Sequence, residues 1–130
     1  MDFAFLQAEV NLFLQNLSSS FYPPVLARLE PDSLILSSSP DFLVEAVAQK
    51  LGIKGKGSSY LRDAQGRISH IETIMNGREK AHALPSAPCT FFSDSILDLA
   101  PLLAATQAVA VRPDRALRHL AQKKGWEIIN

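Results

Sequence analysis

Phe3, Leu6, Val10, Phe13, Leu14 and Leu17 recur at steps of three and four, with Gln7, Asn11 and Gln15 between them. This is the periodicity of an amphipathic helix, and it stops at Ser18-Ser19-Ser20. Pro23-Pro24 opens a short helical stretch over Val25 to Leu29, because proline is tolerated in a first helical turn and not deeper. Ser33 to Leu36 is a short apolar run between Pro31-Asp32 and three serines, which predicts a buried strand. A helix follows at once, with Ser39 as N-cap, Pro40 at its first position, Asp41 favourable to its dipole and Gly52 as its stop.

Gly55 and Gly57 interrupt the next segment, whose extended stretches at Tyr60-Leu61 and Ile68 to Ile71 flank the turn residues Asp63-Ala64-Gln65-Gly66. That pattern predicts a hairpin. Asn76-Gly77 marks a turn, Arg78 to Leu84 a brief helix, and Pro85 and Pro88 its end. Cys89 to Phe92 reads as a strand, Ser95 to Ala105 as a helix, Ala108 to Val111 as a strand, Asp114 to Lys124 as a helix closed by Gly125, and Trp126 to Ile129 as a last extended segment. Strands alternating with helices point to an α/β fold with a mostly parallel sheet. No internal repeat or linker divides the 130 residues, which are expected to form one domain.

Composition narrows the partners. Thirteen Lys and Arg balance thirteen Asp and Glu, so no overall positive field holds a nucleic acid or an anionic membrane. No apolar run approaches the ~18 residues of a membrane span. Asp2 and Glu9 stand where a signal peptide carries Lys or Arg, and the lone Cys89 cannot form an intramolecular disulfide, so the expected compartment is the cytosol.

Ligands of open parallel sheets bind at the carboxyl ends of strands, where backbone amides and helix N-termini are free. Two strands here end in small polar residues. Leu36-Ser37-Ser38-Ser39 offers hydroxyls and turn amides to an anion, or else simply caps the helix that follows. Phe92-Ser93-Asp94-Ser95, with Asp98 four residues past Asp94, offers two carboxylates suited to Mg²⁺, or else acidic residues placed to favour a helix dipole. Lys80 either aims its ammonium at the same edge, towards a phosphate or carboxylate, or stays solvated. His70, His82 and His119 lack metal-ligand spacing, and Arg112, Arg115, Arg118, Lys123 and Lys124 read as a solvated helix face.

Taken in order, Ser37, the run Ser-Ser-Pro-Asp-Phe-Leu-Val from Ser38 to Val44, Asn76-Gly77-Arg78-Glu79-Lys80, Phe92-Ser93-Asp94-Ser95-Ile96-Leu97-Asp98-Leu99 and Val109-Ala110-Val111-Arg112-Pro113-Asp114 resemble the haloacid dehalogenase superfamily. The phosphoserine-phosphatase-like branch is the nearest. The resemblance implies a Rossmann-like, three-layer α/β/α core with a mostly parallel sheet and a small β-hairpin. It implies that Ser37 holds a phosphate oxygen assisted by the Ser38 amide, that Lys80 steadies the phosphoryl group, and that Asp94 and Asp98 bind Mg²⁺. The substrate would be a small phosphorylated molecule.

The chain also departs from that pattern. The family's nucleophile is the first aspartate of an Asp-x-Asp motif on its first strand, and no two aspartates here are separated by one residue. Leu97 stands where the fourth motif usually has asparagine. Residues 1–29 resemble the end of a helical cap and 30–130 a core lacking its first strand. The strands at Ser33 to Leu36 and Cys89 to Phe92 are then expected to pair directly, or to meet a second copy or another chain at an open edge. Three functions follow: a phosphatase relative inactive as this chain alone, a non-catalytic phosphate- or protein-binding remnant, and a fragment completed by a second polypeptide.

Overall fold

The computed structural model describes residues 22–130, so the helix expected over 3–17 lies outside the described residues. Two compact units divide the chain, Met1–Met75 and Asn76–Asn130.

In the first unit, the single turn α1 (Pro23–Leu26) starts at the prolines and ends sooner than its apolar residues suggest. Strand β1 (Leu34–Pro40), helix α2 (Asp41–Leu51), strand β2 (Lys54–Arg62) and strand β3 (Ile68–Thr73) follow. β1 pairs with β2 in parallel, and β2 with β3 as the antiparallel hairpin. Asp63 builds the hairpin turn: its Oδ1 accepts the backbone N–H groups of Gln65 and Arg67, both at 2.9 Å. Gly52 closes α2 in the left-handed conformation, φ 73°.

The strand runs farther than the apolar pattern predicts, and the three serines lie within it. Leu36 faces Lys56 while Pro40 faces Ser58, so three serines span the single residue Gly57. They bulge, and the N-cap of α2 is Pro40, not the expected Ser39, with no side-chain cap. Ser37 Oγ accepts the Ser39 N–H instead, at 3.1 Å. Gly57 makes this possible. A Cβ there would lie 2.6 Å from the Ser39 carbonyl oxygen and 2.8 Å from Val44 Cγ2. Gly55, two residues earlier on the same face, meets Val44 and Ala48, which are the buried side chains of α2. The helix therefore lies against a strip of strand that has no side chains of its own.

The second unit runs through helix α3 (Gly77–His82), strand β4 (Thr90–Ser93), a 3₁₀ turn at Ile96–Asp98, helix α4 (Leu99–Ala104), strand β5 (Gln107–Val111), helix α5 (Arg115–Lys124) and strand β6 (Glu127–Ile129). β4, β5 and β6 form a parallel sheet in that order. Its core is Phe91, Leu102, Ala108, Val109, Ala110, Leu117 and Ala121. The helix expected over Ser95 to Ala105 is divided because a continuous helix needs an N–H at Pro101 for the Leu97 carbonyl, and proline has none. Beyond β5, Arg112 takes φ 43° and donates its N–H to the Ile129 carbonyl at 2.6 Å.

The direct pairing expected between the strands at Ser33 to Leu36 and Cys89 to Phe92 does not form. Among the described residues β1 is laddered to β2 and β4 to β5, in separate sheets. The α/β, Rossmann-like class stands, with three of the strand pairings parallel.

Gly57→Ala is expected to destabilise the chain by about 1–3 kcal/mol, because the added methyl has backbone on one side and a buried valine on the other. Urea denaturation measures it; an unchanged midpoint would contradict the close approach.

Candidate functional site

Asn76-Gly77 turns out to be a helix start. Asn76 Oδ1 accepts the Glu79 N–H at 3.1 Å, and a Cβ on Gly77 would lie 2.8 Å from the carbonyl oxygen of Leu97. That oxygen is the one Pro101 cannot engage. The two local rules, a glycine without Cβ and a proline without N–H, bring α3 against the 3₁₀ turn.

Lys80 and Asp98 meet there. Lys80 Nζ donates to Asp98 Oδ1 at 2.7 Å, and the side chains are only 11% and 15% exposed. The other carboxylate oxygen, Oδ2, accepts the hydroxyl of Ser93 at 2.6 Å. Ser93, the last residue of β4, is buried and also accepts the Ser95 N–H at 3.1 Å. Neither reading of Lys80 as solvated nor of Asp98 as a dipole-facing cap describes this arrangement: the lysine is buried, and the Asp98 side chain caps nothing.

Asp114 holds the same loop from the far side. Its Oδ1 accepts the Leu117 N–H at 2.8 Å, its Oδ2 the Ile96 N–H at 3.0 Å, and its own N–H donates to the Asp94 carbonyl at 2.8 Å. Hydrogen bonds from Leu117 and then Ile96 hold its pKa below the ordinary 3.8. Asp94 itself has an exposed side chain.

Ser37 and Ser38 belong to the first unit. Ser37 Oγ is an acceptor for Ser39 and keeps its own proton to donate. The Ser38 side chain is exposed, and its carbonyl accepts the Ser58 hydroxyl at 2.8 Å. Ser58 is 3% exposed and also accepts the Met75 N–H at 2.9 Å.

Magnesium, which the resemblance implies, finds one exposed carboxylate in Asp94, whereas both oxygens of Asp98 are committed to Lys80 and Ser93. Among the described residues no three His, Cys, Asp or Glu side chains gather closely enough to hold a metal ion. These residues do not by themselves build a divalent-cation site. A cavity of about 640 Å³ at the amino ends of β5 and β6, lined in part by Leu103, Gln107, Lys124 and Trp126, contains none of the candidate residues.

The roles of Ser93, Ser58 and Asp114 rest on contacts between residues distant in sequence or on hydroxyl direction. Ser93 and Ser58 carry no periodic signal, and Asp114 reads simply as a helix start.

The parallel strand pairings, with a buried lysine–carboxylate pair at the carboxyl end of β4, place the chain in the Rossmann-like α/β class. By sequence the chain is similar to proteins named as phosphatases, and its fold is that of a hydrolase of the haloacid dehalogenase family. Phosphoserine phosphatase SerB1 of Mycobacterium tuberculosis is 32% identical over 105 residues, which cover 72% of this chain and 34% of that protein. Histidinol-phosphatase of Neisseria meningitidis is 28% identical over 116 residues, covering 76% and 51%. The chain thus spans about half or less of these curated relatives. A protein of unknown function from Bordetella pertussis superposes with a TM-score of 0.67 at 25% identity, covering 75% of this chain and 50% of the other. A HAD family hydrolase from Salmonella enterica serovar Typhi superposes at 0.62 with 15% identity, covering 76% and 36%. No family model matches the chain.

Asp98→Ala is expected to destabilise the chain by about 3 kcal/mol, since it leaves the Lys80 ammonium buried without its partner. The double variant Lys80→Met/Asp98→Leu is expected to recover most of that loss in urea denaturation. For Asp114 the sign follows from its lowered pKa. Its stabilisation is fully present above the ordinary carboxylate pKa and is lost as pH falls through the lower folded value. The stability difference between wild type and Asp114→Asn therefore narrows with acidification below about pH 4; a difference that widens there would contradict the assignment.

Proposed function

We propose that this chain carries the phosphate-recognising part of a phosphomonoester phosphatase of the haloacid dehalogenase type, and that these 130 residues alone bind phosphate without turning over an ester. One observation carries the reading: an oriented ammonium, Lys80, held by Asp98 and Ser93 at the carboxyl end of β4 in a chain related to phosphatases. Phosphoryl transfer depends mainly on positioning and charge neutralisation, and an oriented cation supplies both without reorganising during the reaction.

In this reading Lys80 neutralises phosphoryl oxygen charge. In the first unit Ser37 keeps a hydroxyl proton to donate to an anion, because its bond from Ser39 uses only a lone pair. Asp94 is the carboxylate open to Mg²⁺, and the rest of that ion's ligands come from outside the described residues. The sequence holds no Asp-x-Asp, so the covalent step needs a carboxylate nucleophile from outside these 130 residues, on a second polypeptide or further chain. The substrate is a small phosphomonoester.

The test is phosphate binding by isothermal titration calorimetry together with p-nitrophenyl phosphate hydrolysis in Mg²⁺. Phosphate affinity is expected to fall about tenfold in Lys80→Met and to fall in Ser37→Ala, with no hydrolysis above buffer in any variant. Unchanged affinity in Lys80→Met would overturn the binding role; hydrolysis by the wild-type chain that is lost in Lys80→Met would overturn the claim of no turnover.

A further inference from the structure

The Ser93 hydroxyl has a single proton and two acceptors within reach. Asp98 Oδ2 lies at 2.6 Å and the Ser95 carbonyl at 3.4 Å, so the proton goes to the carboxylate. The lone pairs of the same oxygen accept the Ser95 N–H at 3.1 Å. Ser93 is 8% exposed, which leaves almost no room for water to replace either bond. Its rotor is fixed from both directions.

Asp98 is fixed in turn. One oxygen faces Ser93 and the other Lys80, whose side chain is itself 11% exposed. Without the serine, Oδ2 would lose its donor and the carboxylate could rotate about its terminal torsion, which has broad wells. The ammonium would then lose a partner of defined direction.

We infer that Ser93 is a positioning residue for Lys80, acting through Asp98, and that this bond makes Asp98 the anchor of the lysine and not a ligand of a divalent cation. Its functional meaning rests on the proposed reading of Lys80 as the phosphate-binding cation. The chain Ser93–Asp98–Lys80 spans β4, the 3₁₀ turn and α3, so the direction of the ammonium is set by a strand end to which it is not bonded. The exposed side chain of Leu97, beside Asp98, is apolar and adds no carboxylate or amide oxygen to the pair.

The experiment follows the ¹⁵Nζ–H signal of Lys80 in the full 130-residue chain, since a buried, ion-paired ammonium exchanges its protons slowly enough to be observed. Wild type is expected to show the signal, Ser93→Ala to shift or lose it while backbone amide signals away from the site stay in place, and Ser93→Thr, which keeps the hydroxyl, to restore it. Millimolar Mg²⁺ alone is expected to leave the wild-type signal unmoved. A signal indifferent to Ser93→Ala, a loss that Ser93→Thr fails to restore, or displacement of the ammonium by Mg²⁺ would each overturn the inference. Inorganic phosphate is titrated in the same samples. Its affinity is expected to fall about tenfold in Ser93→Ala. If no variant binds phosphate yet the ammonium still depends on Ser93, the positioning role stands and the phosphate reading falls.

Discussion

A carboxylate that has left water must find a donor for each oxygen, and Asp98 organises the second unit by meeting that requirement. Its two partners come from elements that are far apart in sequence, α3 and the end of β4. The pair is not a general source of stability, because the desolvation of two charges cancels most of their attraction. What it provides is direction. Three elements are held in one relation, and a shift of one of them breaks a bond that water, with little access to the site, replaces poorly.

The backbone prepares this meeting before any side chain takes part. Pro101 cannot engage the Leu97 carbonyl, so the chain between β4 and α4 takes a tight 3₁₀ turn. Gly77 has no Cβ, so α3 approaches that same carbonyl. Asp114 then ties the turn to α5 through the Ile96 N–H. The first unit applies the same logic at Gly57, where an absent side chain lets the serine bulge and α2 close on the strand. In both units the polar residues of interest stand where regular structure has been interrupted by a residue that lacks a group.

Much of this could be read along the chain. Gly52 and Gly125 end helices as their positions predict, the Asp63–Gly66 turn joins a hairpin, and Asp114 caps a helix. These are local rules with local signals. Lys80 and Asp98 were both visible as candidates, but their contact was not, because an ion pair between residues eighteen apart leaves no periodic trace. Ser93 was hidden for a related reason: a serine at a strand end looks the same whether its proton goes to water or to a buried carboxylate. β1 runs on past its apolar residues because its register against Gly57 sets its extent, and register leaves no mark in the apolar pattern of β1 alone.

Every strand ladder among the described residues joins strands that are neighbours in sequence, β1 to β2 to β3 and β4 to β5 to β6. Among the described residues no ladder joins a strand of one sheet to a strand of the other. Within each sheet the paired strands are therefore close in sequence, so little loop-closure entropy opposes their pairing and the ladders can form early in folding.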